Sequence, residues 1–224
     1  MSDPDIRVLS TRPLPDELIK SAGDKGIAID VIPFIATEST VEEQLMHALK
    51  QRRMTVVFTS ANAVEAVGAA KDWMVFCLSG ATRHAAAKNF GQKAIVDVAD
   101  SAAQLAKKII EHGVRSVCFF CGDLRREELP SILRHAGIGY RDVVVYKTIA
   151  TPRRIDVNYD GILFFSPSAV ESYLSMNSVP EASTLFAIGN TTAAALKKYN
   201  VVVSDRPEAA ALVDKVIEHF QNKI

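Results

Sequence analysis

Short apolar runs alternate with amphipathic stretches along almost the whole chain. Runs rich in β-branched and aromatic residues at 7–10, 28–33, 55–59, 74–78, 94–98, 116–121, 143–146, 161–166, 184–188 and 201–203 predict strands. Apolar positions three and four apart at 41–51, 61–69, 81–90, 101–112, 127–136, 169–175, 191–198 and 208–221 predict helices. Such an alternation predicts βαβ units, and hence an α/β fold in which helices cover both faces of a parallel sheet.

The pattern is written twice. TSANAVEAV matches SPSAVESYL with Ser60 on Ser166, and VFCLSGATRHAAAKNF matches LFAIGNTTAAALKKY with Leu78 on Ile188. DSAAQLAKKIIEHG matches RPEAAALVDKVIEHF, and the strand–helix–strand opening, 7–33, resembles 117–145 with Gly26 on Gly137. The matched segments follow one order and then repeat it. Two serial domains satisfy that order. So does a crossed arrangement, in which the first opening joins the last three segments.

The chain has 224 residues, enough for one large domain or two small ones with separate cores. Lysine plus arginine and aspartate plus glutamate both number 26, giving zero net charge. That balance argues against a nucleic-acid binder or a membrane-surface protein and leaves room only for a local basic patch. Mean hydropathy is +0.10. MSDPDIRVLSTRP lacks the basic and apolar regions of a signal peptide, and no apolar run approaches the roughly 18 residues that span a bilayer. Three cysteines, Cys77, Cys118 and Cys121, do not make a secreted disulfide framework, so the expected location is cytoplasmic.

Chemistry concentrates at the strand-to-helix corners. Asn62 and Ser168 stand three residues before Glu65 and Glu171, the spacing of a capping box. Free backbone N–H groups and the hydroxyls of Ser60 and Ser166 at such corners suit an anionic ligand, although plain helix capping needs the same residues. IGNTTAAAL offers Gly189, Thr191 and Thr192, and its counterpart LSGATRHAA offers Ser79, Thr82 and Arg83, with the glycines suited to a tight turn. Neither is a dinucleotide or triphosphate loop. Cys118 and Cys121 lie inside an apolar strand and point to opposite faces, as core residues do. The five histidines show no metal spacing, no nucleophile elbow appears, and no metal is expected. Arg125 and Arg126 follow a strand, where they could bind carboxylates or pair with Glu127, Glu128 or Asp123. Tyr146 ends a strand, where a tyrosine packs or donates a proton.

Taken together, VLSTRPL, VFTSANAVEA, CGDLRREELP, VVVYKT, LFFSPSAVESYL, AIGNTTAAAL and PEAAALVDKVIE resemble the uroporphyrinogen-III synthase family, in order, over essentially the whole chain. The resemblance implies two flavodoxin-like parallel-sheet domains joined by a two-stranded linker, with a ligand cleft between them. The discontinuous domain would comprise 1–34 plus 150–224 and the inserted domain 35–149, with the runs at 28–34 and 145–150 as connectors. It further implies cyclisation of hydroxymethylbilane to uroporphyrinogen III, with loss of water and inversion of the terminal ring, and no cofactor. Tyr146 would assist departure of the hydroxyl. Arg12, Ser60, Asn62, Thr82, Gly122, Arg126, Ser166, Ser168, Gly189, Thr191 and Thr192 would hold the eight carboxylates. The chain would be a monomer making transient contact with hydroxymethylbilane synthase, with no nucleic-acid or membrane partner. Asp123 and Asn190 depart from the family, where Asn and Pro are frequent. A noncatalytic two-domain binding protein for a small anionic ligand is the alternative.

Overall fold

The computed structural model describes residues 6–221. Its first half contains β1 (Ile6–Ser10), α1 (Asp16–Gly23), β2 (Ile27–Val31), β3 (Ile35–Ser39), α2 (Glu43–Lys50), β4 (Met54–Phe58), α3 (Ala61–Val67), β5 (Trp73–Leu78), α4 (Ala81–Phe90), β6 (Ile95–Ala99) and α5 (Ala102–Glu111). Then come β7 (Ser116–Gly122), α6 (Glu128–His135), β8 (Gly139–Ala150), β9 (Gly161–Phe164), α7 (Pro167–Leu174), β10 (Thr184–Ala187), α8 (Asn190–Ala195), β11 (Val201–Val203) and α9 (Ala209–Gln221).

The chain divides into two compact units, Met1–Ala36 with Ile149–Ile224, and Thr37–Thr148. In the first, the sheet runs β11-β10-β9-β1-β2; the other sheet runs β3-β8-β7-β4-β5-β6. Within the first sheet every pair is parallel. In the second, β4 pairs parallel with β5 and β7, β5 with β6, and β7 with β8. Thus β1 stands beside β9 across more than half the chain, and the first opening segment shares a sheet with the last repeat. In each sheet the strand order reverses at one point, β1 beside β9 and β7 beside β4. Connections leave such a point in opposite directions, which opens a crevice outside the carboxyl ends of the strands.

Both faces of each sheet are covered, so successive strand residues enter alternate cores. Val8, Leu163 and Phe186 face one side with Leu212 and Val216 of α9, while Leu9, Ile162 and Leu185 face the other with Phe34 and Tyr173. Val56, Phe58, Val75 and Phe120 similarly oppose Val57, Phe76 and Phe119. Phe120 stacks between Phe58 and Trp73 at centroid distances of 5.5 and 5.3 Å. Cys118 and Cys121 enter opposite cores, and burial pushes both thiols up to about 11. They are packing residues.

One connector differs from expectation. The apolar run at 28–33 ends as β2, registered on β1 inside the first sheet. The chain crosses to the other unit in β3, and returns near the end of β8. β3 reads IATES and is mostly exposed, so it has no apolar face for hydrophobic patterning to reveal. Its pairing depends on backbone groups, including Thr40 N–H donating to Val145 C=O at 3.0 Å.

Candidate active site

In the second unit, β4 is followed by Thr59-Ser60, where the chain turns into α3. Ser60 is the N-cap, extended at φ −146°, with its Oγ accepting the Ala63 N–H at 3.4 Å. The same Oγ lies 3.0 Å from the Tyr146 Oη. These side chains come from strands that are not neighbours, because β7 runs between β4 and β8. Two strand spacings amount to roughly 10 Å. The Tyr146 side chain closes that gap by lying across β7 at Gly122.

Two features of the backbone permit this. Cys121 stands opposite Val144 but Gly122 stands opposite Tyr146, so β8 carries an extra residue in a bulge. A bulge re-aims the side chain that follows it. In addition, a Cβ on Gly122 would sit 2.5 Å from Tyr146 Cζ and 2.8 Å from its Oη. Glycine at 122 is therefore required by the ring that crosses it. Asp123 secures the bulged end: Tyr146 C=O accepts the Asp123 N–H at 3.1 Å, and the Asp123 carboxylate accepts the N–H groups of Leu124 and Thr148, both at 3.0 Å. Burial raises the Tyr146 pKa above its ordinary value, against a smaller lowering by Ser60. The phenol stays protonated and able to donate.

The matching corner of the first unit follows β9. Ser166 is the N-cap of α7, its Oγ accepting the Ala169 N–H at 3.2 Å, and Pro167 occupies the first helical turn. Beside it, Thr11 at the end of β1 donates both its N–H and its hydroxyl to Leu163 C=O, at 3.1 and 2.7 Å. That anchors the turn from which Arg12 projects. The Arg12 guanidinium lies 4.2 Å from the centroid of the Phe165 ring, while the residue remains solvent-exposed. Partial desolvation lowers its pKa, and a guanidinium remains charged regardless.

The caps correct one expectation. Ser60 and Ser166 cap these helices, not Asn62 and Ser168, which lie inside the first turn. No capping box forms, because the true caps stand five residues before Glu65 and Glu171. Asn62 is exposed and Ser168 half-buried. Past β5 and β10, the matched Thr82 and Thr192 are both buried, at 6% and 3% exposure, whereas Thr191 is exposed. Gly189 is extended at φ 178°, a conformation open to any residue, so no tight turn calls for glycine there; the space where its Cβ would point is empty.

Arg125 and Arg126 precede α6, whose first turn carries Glu128 as the helix dipole favours. Arg125 pairs with Glu127 and with Asp142 at 2.7 Å, so it is a structural ion-pair residue. Arg126 is exposed in the same loop. Four of the histidines are exposed and His219 is half-buried; among the described residues no group of His, Cys, Asp or Glu could hold a metal ion. Nor is any described helix long and apolar enough to cross a membrane. Phe165 and the bulge in β8 escaped sequence reasoning. The first carries no signal beyond an apolar run, and the second is a matter of backbone register.

The family model for uroporphyrinogen-III synthase HemD matches residues 16–214. The chain belongs to the uroporphyrinogen-III synthase family. Its fold agrees. Uroporphyrinogen-III synthetase from Helicobacter pylori 26695 superposes with a TM-score of 0.62 at 15% identity, covering 96% of this chain and 99% of that one. A mutant uroporphyrinogen III synthase from the extremely thermophilic bacterium Thermus thermophilus gives 0.60 at 16% identity, with 98% and 100% covered. A search of the curated proteins gives no match. The family is one of cyclising lyases in tetrapyrrole biosynthesis, so the small-molecule substrate is a pathway intermediate.

Proposed function

We propose that this uroporphyrinogen-III synthase family member converts hydroxymethylbilane to uroporphyrinogen III and water, and that Tyr146 assists the loss of the hydroxyl. The family match over residues 16–214 carries the reading. The Tyr146–Ser60 pair supplies a chemistry for it.

Departure of the terminal hydroxyl leaves an azafulvene cation. The substituted carbon of the terminal ring at the other end of the chain attacks that cation, giving a spiro intermediate. That ring's old bridge bond then breaks, and its free ring carbon bonds to the released bridge, which closes the macrocycle with the ring inverted. The unstable substrate closes unaided to the uninverted isomer, so the enzyme's task is folding, holding and assisting departure of water. We assign the assistance to the phenol. Ser60 Oγ accepts the Ala63 N–H and turns its own proton to Tyr146 Oη, which leaves the phenolic proton for the departing hydroxyl. A proton shared with that hydroxyl is recovered when the ring carbon loses its own. Gly122 is a positioning residue, since it lets the ring cross β7.

Eight carboxylates exceed what one corner can bind. We assign some to the Arg12 guanidinium and the amides at Ser166 and Ser168, others to Thr191 and the turn at Gly189, and others to Ser60, Asn62 and Arg126. Buried Thr82 and Thr192 shape these corners. The protein acts as a cytoplasmic monomer that receives its unstable substrate through transient contact with hydroxymethylbilane synthase.

The deciding experiment generates hydroxymethylbilane in situ with the protein present, oxidises the products and separates the isomers. Mostly type III isomer is expected. Only type I isomer in the presence of folded protein would leave the chain with the family fold and no reaction.

A further inference from the structure

The opposite, amino-terminal edge of the second unit's sheet holds a hollow of about 690 Å³. It opens where β4, β5, β7 and β8 begin, being lined by Met54, Met74, Ser116 and Gly139 among others. Arg52, Arg53 and Arg141 line it as well, with Asp72 as the one carboxylate. A second hollow of about 620 Å³ shares Arg52, Arg53 and Asp72 and adds Lys50 and Lys71. The Ser60–Tyr146 pair lies at the carboxyl ends of the same strands, so this is a different place on the unit.

The charge here is unbalanced. Lys50, Arg52, Arg53, Lys71 and Arg141 make no ion pair among the described residues, while Arg7, Lys108, Arg125, Arg134 and Lys215 all do. In a chain of zero net charge, five unpaired cations around one carboxylate form a local concentration. Like charges held together raise the free energy of the unliganded protein, and an anion relieves that cost. The loop carrying Arg52 and Arg53 is fixed, since Arg52 C=O accepts the indole N–H of buried Trp73 at 3.1 Å, and Arg141 is held within β8. Beneath the cations lies an apolar floor. Met74 is 52% exposed there, an adaptable thioether presented to solvent from within a strand.

A hollow of roughly 300–1,000 Å³ with an apolar floor and a few converging charged groups is the usual form of a small-molecule site. We propose that it binds a small organic polyanion: an apolar, flat body on Met54 and Met74, carrying two or more carboxylates or phosphates to Arg52, Arg53 and Arg141. Paired planar guanidiniums suit such oxyanions through two-point hydrogen bonding. The inference is independent of the catalytic reading.

Naphthalene-1,4,5,8-tetracarboxylate is the probe, with tripolyphosphate as a control bearing charge and no apolar body. Titration calorimetry of the wild type is expected to show saturable binding of the probe and at least tenfold weaker binding of tripolyphosphate. Arg12→Ala should leave that binding unchanged, and the triple variant Arg52→Gln, Arg53→Gln, Arg141→Gln should weaken it at least tenfold while keeping the wild-type circular dichroism and cooperative melt. Undiminished binding by the triple variant or no binding at millimolar probe would overturn the site. Equal affinity for tripolyphosphate would overturn the assigned ligand class.

Discussion

The corner after β4 and the corner after β9 share one plan. Each has a strand ending in a buried phenylalanine, then a serine whose Oγ caps the next helix, then Ala-Val-Glu along its first turns. What stands beside the serine differs. Ser60 meets a phenol that has crossed a neighbouring strand over a glycine; Ser166 follows Phe165, whose ring carries the guanidinium of Arg12. The repeat thus supplies two equal scaffolds, and single neighbouring residues give one a phenol and the other a guanidinium stacked on a ring. Capping alone explains neither neighbour. That is where the chemistry is to be sought, and substitutions can separate the two roles.

The largest effect should come from Tyr146→Phe. Removing a positioned proton donor is expected to lower kcat by about 10²–10³-fold, while the lost hydrogen bond to Ser60 costs only about 1 kcal/mol of stability. Steady-state isomer assays beside thermal melts check this; comparable loss in both would reduce the tyrosine to a packing residue. Next is Gly122→Ala. The new methyl would have to displace a ring now 2.5 Å away, at a cost of about 1–3 kcal/mol, with activity falling toward that of the phenylalanine variant. Combined with Tyr146→Ala, the methyl has nothing to meet, so the two stability costs should fall short of additive by about 1 kcal/mol or more. Strict additivity would show that the ring does not depend on the glycine.

On the other corner the expectation changes in kind. Arg12→Ala should raise KM by about tenfold with little change in kcat, the mark of a group that holds the substrate equally before and during reaction. Arg12→Lys should recover only part of this, since lysine keeps the charge and loses the planar stack on Phe165. A fall in kcat at constant KM would move Arg12 into the chemical step and erase the contrast with Tyr146.

The sequence showed some of this and concealed the rest for physical reasons. Alternating apolar runs displayed the α/β class because strands buried on both faces, such as those of Val8-Leu9 and Leu185-Phe186, leave an unbroken apolar signature. The repeat displayed both corners. It was silent on which opening segment joins which repeat, since that is decided by hydrogen bonds of β1 to β9, 152 residues apart at Thr11 and Leu163. β3 was hidden by its exposed, polar side chains. The capping box at Asn62 and Ser168 was a false match in spacing. Pro167 held the correcting signal, because proline favours the first helical position and so marks Ser166 as the cap. The ring of Tyr146 over Gly122 had no local signal at all, for it rests on a register shift between β7 and β8.

The smallest effects sharpen the comparison most. Ser60→Ala and Ser166→Ala each remove an N-cap, and each should cost about 1 kcal/mol by chemical denaturation. If the two corners were equivalent, their effects on turnover would also match. They should not. Without its hydroxyl, residue 60 no longer fixes Tyr146 Oη, so kcat should fall severalfold and the phenol should titrate higher, since the hydrogen bond that lowers its pKa is gone. Loss of the Ser166 hydroxyl frees only the Ala169 N–H, leaving the guanidinium of Arg12 on Phe165 and the kcat of the wild type. Ultraviolet titration of the tyrosines beside the isomer assay reads both quantities. A higher tyrosine pKa and a lower kcat in the Ser60 variant alone would establish that the serine, common to both corners as a cap, has at one of them a second task in setting the acid.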